Sequence, residues 1–382
     1  MVGVRSDGRV EPPLKDRREV RIGAAVIGVT AASRLLCLLA LYVGARHHRV
    51  HLASLVTIFD GTWYKAIATS GYPHTLPVVH GQVTTNAVGF FPLFPMIVKF
   101  LMWATGLGFA GASIFCNTIA SGVAALLIYR IAVRRSDLQT AFIHAVVWVV
   151  WPVAFVLSLA YSEAVFTALA AGCLLGLLQR RWLLAGVLAA LAGATRPPGL
   201  ILALCCLVAA WAAMRQDRKL GPLVAPLIAP LGTLAYFAWL WDRTGRINAW
   251  FVTESQGWHT GFDGGLNNAQ KFVQYLQHGQ GDGLVGFLSV AVSLVLLILL
   301  FIDGDDPLLL TYATGIVLFV AMSHDALSSD PRYLFVAFPL LAPVASRLRR
   351  LTWYVVAPAL ASSAVVMAGV GVYLTTNPYH PL

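Results

Sequence analysis

The feature that most constrains this chain is a repeated run of apolar residues, of which "GFLSVAVSLVLLILLFI" is one. Several such runs approach or exceed the ~18 residues that a helix needs to cross a bilayer. A backbone in lipid must pair its own polar groups, so continuous apolar runs read as helices. A β-barrel would show alternation instead. Only 12% of the residues are charged and 58% are hydrophobic, against roughly 25% charged for a soluble domain. The expected fold class is an all-α polytopic membrane protein.

The first run is read as a retained helix, because a polar tail precedes it and no small-residue cleavage site follows. Cys37, Cys116, Cys173, Cys205 and Cys206 all fall within apolar runs, so neither a disulfide framework nor a metal cluster is expected from them. The net charge of +10 is spread as short basic clusters between apolar runs, the positive-inside pattern, and nucleic acid is not an expected partner.

Those clusters choose between two threadings. Arg5, Arg9, Lys15, Arg17, Arg18 and Arg21 place the N-terminus inside. The run at about 88–105 holds Pro92, Pro95 and Lys99. If it crosses, Arg134/Arg135, Arg180/Arg181, Arg215/Arg218/Lys219 and Arg347/Arg349/Arg350 all fall outside; if it lies on the surface, all fall inside. The second threading is preferred. It gives about eleven crossings, near 22–44, 109–130, 140–157, 161–178, 182–195, 199–214, 222–241, 284–302, 308–322, 333–346 and 353–375. The expected layout is a cytoplasmic basic tail over 1–21, one transmembrane domain over 22–376 and a short outer tail over 377–382. Outer loops fall at about 45–108, 242–283 and 323–332. The acidic "DGDD" at 303–306 lands among the basic inner loops and is a misfit.

Most of the unusual polar residues then collect on the outer side. In "FDGTWYKAIA", Asp60 reads either as the N-cap of a short helix through Ala68 or as a base for an alcohol proton. Trp63 and Tyr64 suit a sugar face or the membrane interface, and Lys65 suits a phosphate. Glu163 in "YSEAVF" reads as an internal ion pair or cap, or as a site acid. Arg196 in "RPPG" reads as a snorkelling side chain or a phosphate ligand, and Arg332 offers the same fork. Tyr161, His324 and Tyr333 complete the substrate-binding candidates. His324, Asp325 and Asp330 have nondescript spacing for a metal, and none is expected. The loop 242–282, with Trp250, Trp258 and His259, is read either as a cover over a substrate or as structural.

In order, "FDGTWYKAIATSGY", "FFPLFP", "YSEAVF", "RPPG" and "DPRYLFVAFPLL" resemble the PIG-V type of mannosyltransferase, a branch of the GT-C glycosyltransferases. The resemblance runs over roughly residues 20–375. It implies a GT-C-like fold with the catalytic Asp60 in a long first outer loop. It implies an inverting enzyme that takes mannose from a polyprenyl phosphate. By the same resemblance Glu163 is the acid of "YSE", and Arg196 and Arg332 are the arginines of the later motifs. Phe59 stands where the family has tryptophan, and Pro197-Pro198 where it often has Ser-Asn, which leaves the acceptor open.

The implied partners are a polyprenyl-phosphate mannose donor, a lipid-linked glycan or other envelope acceptor, and membrane lipids. No cofactor is expected, since arginine suffices for a lipid monophosphate leaving group. The expected setting is a bacterial, actinobacterial-like plasma membrane with the site facing outside. The alternative is a polytopic transporter or flippase for a lipid-linked or small polar substrate. Against it, no internal repeat is visible and the polar residues gather at helix ends.

Overall fold

The computed structural model describes residues 14–278, 284–324 and 329–377. Arg5, Arg9 and Asp325, singled out above, lie outside the described residues. The chain is helical nearly throughout. Helix α1 (Leu14–His47) is followed by α2 (Asp60–Ser70), α3 (Leu93–Thr105), α4 (Phe109–Val133) and α5 (Leu138–Val150). Next come α6 (Glu163–Leu178), α7 (Trp182–Gly193), α8 (Gly199–Asp217) and α9 (Gly221–Thr244). Then α10 (Leu266–His278), α11 (Leu284–Ile302), α12 (Pro307–Met322), the broken α13 (Asp330–Phe335 and Phe338–Leu348) and α14 (Trp353–Thr376) complete the order.

Each expected crossing has a helical counterpart. Among the described residues, Arg17–His47, α4, α8, α9 and α14 are long and apolar enough to cross a membrane alone. Helix α5 and the 3-10 stretch Pro152–Ser158 pass together, bent by 70°.

Two expectations need correction, the start of the first helix and the make-up of the stretch 242–283. Helix α1 begins at Leu14, not near residue 22, so Lys15 to Arg21 form its first turns. At about 51 Å (34 residues at about 1.5 Å each) it outreaches a bilayer core, and its first turns tolerate charge. The stretch 45–108 holds α2 and α3 where the sequence offered a short helix from Asp60 and a surface run at 88–105, and α3, with 13 residues, is about 20 Å long, short of a ~30 Å core. The stretch 242–283 contains the amphipathic α10, whose low hydropathy hid it.

The molecule has two chemically different ends. Helix α6 starts at Glu163, and Arg180 just past its end pairs with Asp217, the last residue of α8. Helix α13 carries Arg332 in its first segment and Arg347 near its end, the latter paired with Asp303 at 2.8 Å. Arg135 after α4 pairs with Asp305 at 2.6 Å and Asp306 at 2.9 Å. The acids of "DGDD" thus answer arginines of the same end, which resolves the misfit. The Tyr129 hydroxyl donates to Glu19 O at 3.4 Å, so α1 also starts at this basic end.

At the other end the two long inter-helix stretches are zipped together. Strands β1 (Val78–Val79) and β2 (Gln82–Val83) form a hairpin, and β3 (Gly261–Phe262) pairs antiparallel with β4 (Ser323–His324). Val83 N–H donates to Gln256 Oε1 at 2.9 Å, and the Thr85 hydroxyl to Gly257 O at 2.7 Å. A Cβ at Gly257 would lie 2.9 Å from Thr84 O, so only glycine allows this approach. The main core surrounds α6 and includes Trp148, Phe166, Tyr312 and Phe338. A second cluster, with Tyr64, Phe91, Phe94 and Tyr236, sits under α2 and α3.

Candidate active site

Asp60 opens α2 but does not cap it. Phe59 occupies the N-cap position at φ 52°, and no side-chain cap bond forms. A positive φ is unfavourable for an aromatic residue and marks a strained turn. The turn leaves the Asp60 carboxylate free to meet Arg332 Nη1 in a close ion pair. The capping reading of Asp60 is therefore replaced: its side chain bonds across the molecule.

Arg332 Nη1 also lies 3.5 Å from Glu163 Oε1, and Arg196 Nη1 meets the same oxygen in a close pair. Four charges thus form one chain, Asp60–Arg332–Glu163–Arg196, with no net charge. Glu163 is fully enclosed and both arginines are 5% exposed. The Asp60 side chain is 18% exposed, against 1% for Glu163. Burying four charges is tolerable only because each is paired. Arg332 Nε and Glu163 Oε2 have no hydrogen-bond partner among the described residues.

Aromatic rings hold the guanidinium groups. Tyr333 lies under both, with Arg196 Cζ 4.4 Å and Arg332 Cζ 5.3 Å from its ring centre. The buried Tyr161 ring faces Arg332 at 5.1 Å. Tyr64 donates to Ser162 Oγ at 3.0 Å, tying α2 to the turn before Glu163. Burial pushes the Tyr64 hydroxyl well above the usual tyrosine range, with Arg196 opposing this, so it remains a neutral donor. The start of α2 packs closely on the turn before Glu163, where a Cβ at Gly61 would sit 3.3 Å from Ala160 Cβ and 3.4 Å from Val56 O. Leu93 N–H donates to Ala194 O at 3.0 Å, joining α3 to the loop of Arg196.

The structure therefore brings Asp60, Tyr64, Tyr161, Glu163, Arg196, Arg332 and Tyr333 together. Trp63 stands beside them in an aromatic wall, stacked on Phe90 at 6.1 Å and edge-on to Trp258 at 5.4 Å. Two candidates do not join. Lys65 is exposed, and its side chain has no hydrogen bond or ion pair among the described residues. His324 sits on β4, its Nδ1 3.9 Å from Asp263 Oδ2. Among the described residues no group of three or more His, Cys, Asp or Glu could hold a metal. A cavity of about 380 Å³, lined by Arg135, Thr140, His144 and Asp303, lies at the basic end and touches none of the cluster.

Sequence reasoning missed two buried polar residues. Asn117 of α4 donates to Leu159 O at 2.6 Å and Tyr161 O at 2.9 Å, and so fixes the turn before Glu163. Arg34 of α1 is 1% exposed and binds the break after α5. Each stands as a polar residue inside an apolar run, a signal open to reading.

No family model and no curated protein matches the sequence. Among solved structures the chain is similar to ArnT from Cupriavidus metallidurans. To the form bound to undecaprenyl phosphate the TM-score is 0.54 at 15% identity, covering 86% of this chain and 61% of that one. To the apo form it is 0.54 at 14% identity, covering 86% and 60%. The chain spans about three fifths of the length of ArnT. Fold and composition together define an all-helical, multi-pass membrane protein. Its fold is similar to that of ArnT.

Proposed function

We propose that this chain is an inverting glycosyltransferase of the PIG-V type. It moves mannose from a polyprenyl-phosphate donor to a hydroxyl of a lipid-linked or envelope acceptor on the outer membrane face. The observation that carries the reading is the buried charge chain with its one partly open carboxylate, Asp60. An acceptor hydroxyl is a poor nucleophile until its proton leaves, and Asp60 takes that proton. The hydroxyl oxygen attacks the anomeric carbon as the bond to the phosphate oxygen breaks, with its electron pair leaving on the phosphate. Direct attack inverts the anomeric centre, so a β-linked donor gives an α-mannoside.

Arg332 and Arg196 receive the growing phosphate charge. An incoming phosphate competes with Asp60 for Arg332 and so releases the base. Glu163, enclosed and bonded to both arginines, orients them. Trp63 in its aromatic wall offers a face for the sugar. ArnT binds undecaprenyl phosphate in one crystal structure, and this likeness supports a lipid phosphate as the donor class here.

The test is transfer by purified protein from polyprenyl-phosphate mannose to a membrane-lipid fraction, run with and without a chelator. Wild type is expected to transfer in both, with Asp60→Asn slower by roughly 10²–10⁴-fold, the usual worth of acid–base assistance. Near-normal transfer by Asp60→Asn removes it as the base. Uptake of a soluble solute by proteoliposomes without turnover of the donor would favour a transporter.

A further inference from the structure

Helix α5 stops short of residue 151. The chain turns by 70° into the stretch Pro152–Ser158. Pro152 has no N–H to continue the ladder, so carbonyls of the last turn lose their intrahelical partners. In an apolar interior each must find another donor.

Arg34, midway along α1, supplies them. Its Nη2 donates to Val149 O at 2.8 Å, and its Nη1 to Ala154 O at 2.5 Å and Ser158 Oγ at 3.2 Å. One planar fork thus grips both sides of the break, which the single ammonium of lysine cannot match. Ser363 of α14 adds a bond to Val150 O at 2.7 Å. Among the described residues Arg34 has no carboxylate partner. A buried cation without one is costly, so what holds Arg34 here is its set of hydrogen bonds to the break.

The segment that Arg34 holds leads directly into the charge chain. After Ser158, Asn117 binds Leu159 O and Tyr161 O, and Ala160 N–H donates to Val56 O at 2.8 Å. Glu163 follows. We infer that Arg34 is a positioning residue for the active site: by fixing Pro152–Ser158 it sets where Tyr161, Ser162 and Glu163 stand against Arg196 and Arg332. Arg34 makes no bond to the four charges itself. The inference rests on the glycosyl-transfer reading of that site.

The test uses Arg34→Met and Arg34→Lys in the full chain. It reads kcat and KM for polyprenyl-phosphate mannose, thermal unfolding, and the melting shift caused by polyprenyl monophosphate. That probe carries the leaving group's full charge, so it reports the same arginine geometry without turnover. Arg34→Met is expected to melt below wild type, because Val149 O and Ala154 O lose their donor. Assayed well below that melting temperature, it is expected to keep kcat down at least about tenfold with KM within about threefold. A misplacement of about 1 Å can cost ~100-fold. Its melting shift with polyprenyl monophosphate should shrink, and Arg34→Lys should fall between the two.

A kcat within about twofold of wild type in Arg34→Met overturns the inference. So does a loss in both variants that merely tracks a lower melting temperature and recovers on cooling. If Arg34→Met does not insert, the same readings on Arg34→Lys decide. Wild type that is shifted by polyprenyl monophosphate but transfers no sugar overturns the mannosyl reading alone, and the shift in the variants still judges Arg34. Wild type that does neither overturns both.

Discussion

Arg196 and Glu163 show how a charge can be stable in a place that would reject it alone. Each is nearly out of water, and each is tolerated because the other is there. Removing one partner strands a buried charge, at about 3–5 kcal/mol. Arg196→Gln should therefore lower the melting temperature sharply, while the double variant with Glu163→Gln should lose less than the sum of the two single losses. Thermal unfolding of all four proteins in detergent measures the coupling, and strict additivity would mean the pair does not act as one unit. These residues were legible because acids and arginines stand out in so apolar a chain. What the sequence could not supply was direction. Lys65 is five residues beyond Asp60, and at about 100° per residue it lies about 140° round the helix from it. His324 is near Arg332 in sequence, yet β4 joins it to Gly261 and Asp263 instead. Phe59 could be read by identity but not by its positive φ, which aims Asp60 across the molecule and not along its own helix.

Elements were read best where apolar length alone defines them. Helices α4, α8 and α14 begin where the sequence placed them, and extend a few residues beyond the apolar run at most. The helix in polar company, α10, was missed, because it lacks the composition that announces a crossing. The start of α5 is a clear case of a boundary written in one residue. Asp137 accepts from Gln139 N–H at 2.9 Å and Thr140 N–H at 3.2 Å, and from the Thr140 hydroxyl at 2.6 Å. The Thr140 hydroxyl above all, helped by the two amides, holds this carboxyl below the usual aspartate value. A depressed folded value means that the cap stabilises above the unfolded value, near pH ~4, and that this is lost as pH falls through the folded one. The side chain is 56% exposed, so solvent screens the effect and the ordinary worth of an N-cap applies. Asp137→Ala should cost about 1 kcal/mol at neutral pH. Unfolding measured again in acid should show the gap closing, and a gap unchanged by pH would assign the loss to something other than the carboxylate.

At the scale of the molecule, contacts decide which features share an end. Helices α6, α8 and α13 each have a residue of the charge chain near their start and a basic-end ion pair near their finish. Helix α1 starts at the basic end, and the stretch after it begins and finishes near the charge chain: Phe109, opening α4, packs in the same cluster as Tyr64. This arrangement assigns sides once one end is placed. The basic end holds Arg134, Arg135, Arg347, Arg349 and Arg350, and the positive-inside rule predicts that such an end faces the cytoplasm. Its acids are answered by these arginines, so they do not weaken the argument. Cysteine labelling reads the sides directly, and the five native cysteines are buried, which keeps the background low. Arg134→Cys and Arg349→Cys should react with a membrane-impermeant maleimide only after the inner face is opened. Val79→Cys, on the exposed hairpin at the other end and 55% exposed, should react in intact cells. Labelling of residue 134 or 349 in intact cells would turn the molecule over and move the charge chain to the cytoplasm. There it would no longer meet an acceptor on the outer face, and the mannosyl-transfer proposal would need a different substrate side.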